Sequence, residues 1–130
     1  MTEVASVVLF SAPAHTIDFY RALGVGLEGE DHGDGVAHAA ADVGGVHFAV
    51  LAAPDSFPPA QPAGSAPAWR AGGSTFVGLY VESLDDVLSA VMREGATILA
   101  GHQVREWGCR AVVEDPDGRA VEINQRGHCT

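Results

Sequence analysis

Glu122 is the side chain of this sequence whose position favours chemistry most. It follows the segment Asp115-Pro-Asp-Gly118, which has the residue types of a tight turn. Beyond the turn, Glu122 and Asn124 share one face of the strand and alternate with Val121 and Ile123, so Asn124 is a polar group that can face Glu122. A carboxylate on the milder of those faces can accept hydrogen bonds, ligate a metal ion or act as a general base.

Histidines and cysteines add few further candidates. Strict alternation places His47 on the same side of its strand as Ala49, so we keep His47 as a partner for Glu122 in a polar site. The remaining histidines are expected to be surface or turn residues: His15, His32, His38, His102 and His128. Cys109 and Cys129 form neither a disulfide framework nor a zinc motif by their spacing, and are expected to be a strand residue and a tail residue. No Ser-His-Asp or Cys-His setting for a nucleophile can be read from the sequence.

The elements that must position these side chains occur twice. Three features recur at offsets of about 72 residues. They are the serine before each helix (Ser11 and Ser83), the glycine after it (Gly24 and Gly95), and the aspartate that opens each hairpin (Asp42 and Asp115). The hairpin offset places Ala49 where the second half carries Glu122. The sequence therefore predicts a duplicated β-α-β-β-β unit with a possible ligand in the second copy only.

The pattern of apolar residues, turns and caps gives the boundaries of the two units. Strands are predicted at residues 4–10, 27–30, 36–42, 46–51, 75–81, 98–103, 109–115 and 119–125. The first module covers residues 1–53 and the second covers 74–126, within a single domain of residues 1–130. Residues 54–73 are rich in proline and form a linker or a binding flap, and the aromatic residues Phe57 and Trp69 keep the flap interpretation open.

Composition limits the class of partner. The 130 residues include seven basic residues, all arginine, against 17 acidic ones, for a net charge of −10. This charge disfavours nucleic acid and favours cationic small molecules, or it simply keeps the protein in solution. A hydrophobic fraction of 47% argues against disorder, and no apolar run is long enough for a membrane span. The start of the chain lacks the basic residues of a signal peptide, so we expect a cytoplasmic protein.

Several motifs together resemble the vicinal oxygen chelate superfamily, the group of glyoxalase I, extradiol dioxygenases and bleomycin resistance proteins. They are Asp18-Phe-Tyr-Arg-Ala-Leu-Gly24 in the first helix, Trp107-Gly108 before a strand, and Asp115-Pro-Asp-Gly118 leading to Glu122. The resemblance implies an α+β fold in which two β-α-β-β-β modules form a cupped mixed sheet, in a homodimer. In the enzymes of this group the cup holds a divalent metal ion on histidines and carboxylates.

The resemblance also implies that this metal site is absent here. Its four ligand positions fall on Ala5, Ala49, Phe76 and Glu122, and a count that is off by one residue brings in Ser6, Thr75 or Val77. A catalytic metal ion needs at least three protein ligands in most sites, and only one of the four positions can supply one. We therefore expect neither a metal ion nor another cofactor.

A cup without a metal ion resembles the bleomycin resistance branch, which sequesters a drug at the dimer interface without chemistry. The predicted function is antibiotic resistance by binding of a bulky, partly aromatic or cationic natural product. The predicted ligand-binding residues are Trp107, Phe76, Glu122, Trp69, Phe48, His47 and Phe57. The alternative is a glyoxalase- or dioxygenase-like lyase or isomerase that uses Glu122 with a different metal set or as a general base. A third possibility is a scaffold or regulatory dimer.

Overall fold

The computed structural model describes residues 1–11, 13–29, 38–52 and 75–129. The chain forms two compact units, residues 1–58 and residues 59–130. The predicted linker or flap, including Phe57 and Trp69, lies outside the described residues. Within the described part of the chain, neither helix is long and apolar enough to cross a lipid bilayer.

The first unit contains one helix and a mixed four-stranded sheet. Its elements are β1 (Ser6–Phe10), α1 (Pro13–Ala22), β2 (Glu28–Gly29), β3 (His38–Val43) and β4 (Val46–Leu51). The strand order is β1-β4-β3-β2, with β1 parallel to β4 and the other neighbours antiparallel. Helix α1 covers the sheet face that carries Phe48, because the rings of Tyr20 and Phe48 lie 5.5 Å apart and both side chains are buried.

The second unit repeats this arrangement. Its elements are β5 (Phe76–Tyr80), α2 (Leu84–Arg93), β6 (Thr97–Arg105), β7 (Gly108–Glu114) and β8 (Ala120–Arg126). The strand order is β5-β8-β7-β6, with β5 parallel to β8 and the other neighbours antiparallel. The predicted α+β fold of two β-α-β-β-β modules is confirmed. The strand β6 is longer than predicted and contains register shifts between Ile98 and Gln103.

The start and the end of α2 lie where the sequence predicts them. The Ser83 hydroxyl accepts a hydrogen bond from the Asp86 backbone N–H at 3.3 Å, and Gly95 ends the helix with φ +83°. A second hydrogen bond at the start of α2 runs from the Leu84 backbone N–H to the side-chain amide oxygen of Gln125 at 2.8 Å. This bond joins the start of α2 to β8. The face of β8 that carries Gln125 is therefore the face covered by α2.

The hairpin between β7 and β8 depends on the side chain of Asp115. Its Oδ1 accepts hydrogen bonds from the backbone N–H groups of Asp117 and Arg119, both at 2.9 Å. Its Oδ2 forms an ion pair with Arg119 at 2.9 Å, and the residue is buried. These contacts fix the register of β8, and the register decides which residues lie beside Glu122.

Cys109 and Cys129 are a strand residue and a tail residue, as predicted, because Cys109 lies in β7 and Cys129 follows β8. They also form a disulfide with a Cα–Cα distance of 5.9 Å, which their spacing in the sequence did not indicate. The sulfur of Cys129 also lies 3.3 Å from Nε2 of His102, which gives a Cys-His contact that the sequence did not reveal. Both contacts arise because the segment after β8 returns to the side of β7 and β6, and sequence spacing does not record that return.

Candidate ligand-binding face of the second sheet

The second sheet has one face covered by α2 and one turned away from it, which we call the distal face. Residues of β8 alternate between the two, so Gln125 belongs to the covered face and Glu122 and Asn124 to the distal face. Strand register places Gly78 of β5 beside Glu122, and Arg110 of β7 beside Asn124. The distal face therefore collects residues from all four strands around one carboxylate.

A row of hydrogen-bonded polar side chains crosses the distal face. We call this row, formed by Gln103, Arg110, Glu122 and Asn124, the polar ladder. Arg110 binds Oε2 of Glu122 through Nε at 2.9 Å and Nη2 at 2.7 Å. Its Nη1 donates to Oε1 of Gln103 on β6 at 2.9 Å. Asn124 donates to Oε1 of Glu122 at 2.9 Å and to the Leu79 carbonyl of β5 at 3.3 Å.

Glu122 is consequently a paired carboxylate. Both of its oxygen atoms accept hydrogen bonds, from Arg110 on one side and from Asn124 on the other. The side chains of Arg110 and Glu122 are 23% and 24% exposed, so water screens the pair only in part. Because Gly78 has no side chain, nothing from β5 covers the carboxylate at this position. The ladder is ordered by its own contacts and is still partly accessible.

Aromatic side chains lie on β5, the edge strand next to the ladder. Phe76 and Tyr80 point to the distal face at opposite ends of this strand and are 55% and 60% exposed. The Arg126 guanidinium lies 3.6 Å from the centre of the Tyr80 ring, in a cation–π contact. Tyr80 and Arg126 also line a shallow surface pocket with Val81 and Glu82.

Trp107 lies at one end of the sheet, in the turn between β6 and β7. Its carbonyl accepts a hydrogen bond from the Gly127 backbone N–H at 2.9 Å, and its side chain is 46% exposed. Phe76 pairs with Ala120 at the opposite end of β8. The seven residues from Ala120 to Arg126 extend roughly 20 Å at the rise of a β-strand, so Trp107 and Phe76 do not meet within this unit.

The two predicted residues of the first unit lie on different faces of β4. Phe48 is 4% exposed and packs against Tyr20, so it belongs to the core under α1 and not to an accessible binding surface. His47 is exposed and lies on the other face, beside Ser6 of β1. Of these two residues, only His47 is therefore exposed to a ligand.

The residues at the metal positions of the superfamily do not fit a metal ion. His47 of β4 and Ala120 of β8 occupy equivalent positions in the two modules. Because Ser6 pairs with His47 and Phe76 pairs with Ala120, Ser6 is the counterpart of Phe76. The count from the sequence had given Ala5, one residue earlier. These positions offer too few free donors for a catalytic ion, because they carry Ser6, Ala49, Phe76 and the Glu122 carboxylate, which Arg110 already binds.

Sequence reasoning named Asn124 as a group facing Glu122 but missed Arg110, Gln103 and Tyr80. A signal for Arg110 was present, because a charged residue within the apolar run Cys109-Arg-Ala-Val-Val113 needs a partner. Counting across the Asp115–Gly118 hairpin places it diagonally opposite Glu122. No comparable signal exists for Gln103, since the register shifts in β6 are not readable from residue types.

Comparison with known proteins gives a family and a fold. The model of the Glyoxalase/Bleomycin resistance protein/Dioxygenase superfamily matches residues 7–123. No functionally curated protein matches this chain.

Solved structures cover nearly the whole chain at low sequence identity. TnmS3, an antibiotic binding protein from Streptomyces sp. CB03234, aligns with a TM-score of 0.63 and 20% identity over 98% of each chain. TioX from Micromonospora sp. ML1 aligns with a TM-score of 0.64 and 20% identity, over 100% of this chain and 99% of the TioX chain. A glyoxalase-related enzyme from Fulvimarina pelagi aligns with a TM-score of 0.65 and 18% identity, over 97% of this chain and 89% of the chain of that enzyme. At these identities the likeness concerns the fold, because this fold carries both binding proteins and enzymes.

Proposed function

Because this chain belongs to the glyoxalase/bleomycin resistance protein/dioxygenase superfamily, we propose that it is a binding protein that sequesters a bulky, partly aromatic small molecule and leaves it chemically unchanged. The ligand lies on the distal face of the second sheet, between the aromatic side chains of β5 and the polar ladder. A natural-product antibiotic is the proposed class of ligand, in keeping with the antibiotic binding protein TnmS3 among the proteins of similar fold.

The pairing of Glu122 with Arg110 and Asn124 is the observation that carries this proposal. A carboxylate that acts as a general base or as a metal ligand needs a lone pair directed at the substrate or the ion, and hydrogen bonds from neighbouring side chains compete for those lone pairs. Both oxygens of Glu122 accept hydrogen bonds from neighbouring side chains. This favours a recognition surface over the alternative in which Glu122 acts as a base or a metal ligand.

The remaining hydrogen-bonding capacity of the ladder suggests what the ligand offers. A guanidinium carries five N–H bonds, and Arg110 uses one each on Nε, Nη1 and Nη2. Two N–H bonds therefore remain for a carbonyl, phenol or ether oxygen of a ligand. Phe76 and Tyr80 supply exposed aromatic surface at the neighbouring edge strand. A planar aromatic molecule with oxygen acceptors matches this combination of apolar surface and a few fixed polar groups.

We further propose that two copies of the chain form the binding groove. Large apolar side chains are exposed on the edge strand of each unit, namely Val7, Val8 and Phe10 on β1, and Phe76 and Tyr80 on β5. Exposed apolar edges of this kind favour association with another copy. Light scattering should give twice the chain mass of 13.4 kDa, and a monomer at micromolar concentration would contradict this part of the proposal.

Fluorescence titration against a panel of aromatic antibiotics tests the binding function. The panel should yield at least one ligand of micromolar or tighter affinity, recovered unaltered after incubation with catalytic amounts of protein. Arg110→Met and Phe76→Ala should each weaken that ligand about tenfold or more, which corresponds to roughly 1.4 kcal/mol. Val104→Ala, a change at a side chain that is 68% exposed on β6, is the matched control and should leave the affinity unchanged. A chemically altered ligand would support the enzyme hypothesis instead, and unchanged affinity in both variants would place the site elsewhere.

A further inference from the structure

On the covered side of the second sheet, four residues with metal-binding or metal-orienting chemistry come together. Cys109 of β7 is fully buried and is joined by a disulfide to Cys129, which is partly exposed. Nε2 of His102, on β6, lies 3.3 Å from the Cys129 sulfur. Nδ1 of the same imidazole lies 3.3 Å from the Asp85 carboxylate of α2. The donor atoms of His102, Cys109 and Cys129 all lie within 4.8 Å of one another.

We propose that the reduced form of this cluster is a zinc site, with the sulfurs of Cys109 and Cys129 and Nε2 of His102 as ligands. Two thiolates and an imidazole are a donor set that zinc favours. In a tetrahedral zinc site with Zn–S about 2.3 Å and Zn–N about 2.0 Å, the sulfur and nitrogen ligands lie roughly 3.6 Å apart. The contact of 3.3 Å between His102 and Cys129 is close to that separation, and the Cys109 sulfur lies within 4.8 Å of the same imidazole. Zinc binding then requires the two sulfur atoms to move apart.

Asp85 strengthens the case because it occupies the place of an orienting group. Histidines that ligate metal ions usually donate the N–H of their other nitrogen to a carboxylate, which fixes the ring and its tautomer. Asp85 lies at hydrogen-bonding distance from Nδ1 of His102. A proton on Nδ1 satisfies this contact and leaves the lone pair of Nε2 directed toward the sulfur atoms. The same tautomer is the one that coordinates zinc.

The disulfide and the metal ion exclude each other. A thiol reductant that converts the disulfide to two thiols supplies two electrons and two protons and is itself oxidised to a disulfide. Zinc then displaces the two protons and binds the resulting thiolates. In the oxidised form each sulfur is covalently bonded to the other, so neither is available as an anionic ligand. The site therefore takes up zinc only under reducing conditions.

This site is separate from the proposed ligand-binding face. Cys109 and Arg110 are consecutive residues of β7, and consecutive residues of a strand point to opposite faces. Cys109 lies with the residues covered by α2, whereas Arg110 belongs to the polar ladder. Loss of zinc binding would leave the proposed small-molecule function unaffected, and the reverse also holds.

Zinc competition with a chromophoric chelator tests the proposal on the whole chain, reduced with a phosphine and compared with the oxidised form. The reduced protein should bind one zinc ion, and the oxidised protein should bind at least a hundredfold more weakly. Cobalt(II) in place of zinc should give a sulfur-to-metal charge-transfer absorption in the near ultraviolet. Equal affinity of the oxidised and reduced forms, or the absence of that absorption, would overturn the proposal.

Variants separate the proposed ligands from other residues. His102→Gln and Cys129→Ser should each weaken zinc binding by the reduced protein tenfold or more. Asp85→Asn should weaken it roughly tenfold, since outer carboxylates of this kind contribute about 10–100-fold. The matched control is Asp86→Asn, the next acidic residue of α2, which should bind like the wild type. Circular dichroism of each reduced variant checks the fold, and wild-type affinity in His102→Gln would refute the assignment of the imidazole.

Discussion

Arg110 holds one oxygen of Glu122 with two nitrogen atoms, Nε at 2.9 Å and Nη2 at 2.7 Å, across the β7–β8 hairpin. Hydrogen bonds between a guanidinium and a carboxylate are assisted by charge and are stronger than hydrogen bonds between neutral groups. The pair lies at the centre of the polar ladder and joins the strand that carries the predicted functional carboxylate to its neighbour. Glu122 therefore has a structural partner that any mechanism involving it would have to displace.

The Arg110–Glu122 pair should show coupling in a double-mutant cycle. Arg110→Met leaves a partly buried carboxylate without its cation, so we expect a loss of about 1–3 kcal/mol in the free energy of unfolding. The double variant with Glu122→Gln should lose less than the sum of the two single variants, because both charges are then absent. Urea unfolding measures each value. Arg93→Met, at an exposed residue of α2, is the control and should change stability by no more than about 0.5 kcal/mol, whereas additive effects of Arg110→Met and Glu122→Gln would contradict a direct interaction.

Gly108→Ala should be strongly destabilising. Gly108 has φ +152°, and a Cβ atom at this position would overlap the carbonyl oxygen of Gln125 on β8. Relief of that overlap requires a shift of the β7–β8 pairing, so we expect a loss of about 2 kcal/mol or more. Thermal unfolding measures the effect. The glycine of β6 is the matched control, because a Cβ at Gly101 meets no atom within 4 Å and Gly101→Ala should be nearly neutral.

Asp115→Ala should cost more than its counterpart in the first module. Asp115 accepts two backbone hydrogen bonds and an ion pair in a buried turn, so we expect a loss of about 2–4 kcal/mol. Asp42 accepts an exposed hydrogen bond from the Gly45 N–H at 2.9 Å, and Asp42→Ala should cost about 0.5–1 kcal/mol. Denaturant unfolding of the two variants gives the comparison. Equal losses would show that the Asp115 network adds nothing to the turn.

Phe76 and Trp107 should contribute independently to ligand binding. They lie at opposite ends of the second sheet, far enough apart for their effects to add within about 0.5 kcal/mol. Phe76→Ala and Trp107→Ala should each weaken a bulky ligand about tenfold, and the double variant about a hundredfold. Titration of the three variants with one antibiotic measures this. If a single substitution alone accounts for the whole loss, the ligand occupies only one end of the sheet.

Glu122→Gln should discriminate between kinds of ligand. A cationic ligand should bind more weakly to this variant, and the difference should shrink in high salt if long-range attraction contributes. A neutral ligand that accepts hydrogen bonds from Arg110 should be affected less, since the glutamine oxygen still accepts a bond from Arg110. Parallel titrations at low and high salt with one ligand of each type measure the difference. Equal losses for both types would mean that Glu122 acts only by ordering Arg110.

The local structure and the order of the elements can be read from residue types and their spacing. The Asp115–Gly118 turn, the Ser83 cap and the glycine that ends α2 are set by residues close to one another in the chain, so their chemistry is readable without a fold. The offset of about 72 residues predicts two β-α-β-β-β modules, and the structure contains both. Alternation along β8 placed Glu122 and Asn124 on one face, and they are hydrogen-bonded there.

The contacts of these side chains, in contrast, depend on how the strands and helices pack. Helix α1 covers the face of β4 that carries Phe48, so Phe48, which was predicted to contact a ligand, is a core residue. Register across β7 gave Glu122 its arginine, and the return of the chain after β8 brought Cys129 to Cys109 and His102. Contacts between residues on different strands depend on packing and register, which involve the whole unit. Residue types and spacing record such contacts only where a turn as short as Asp115–Gly118 fixes the count.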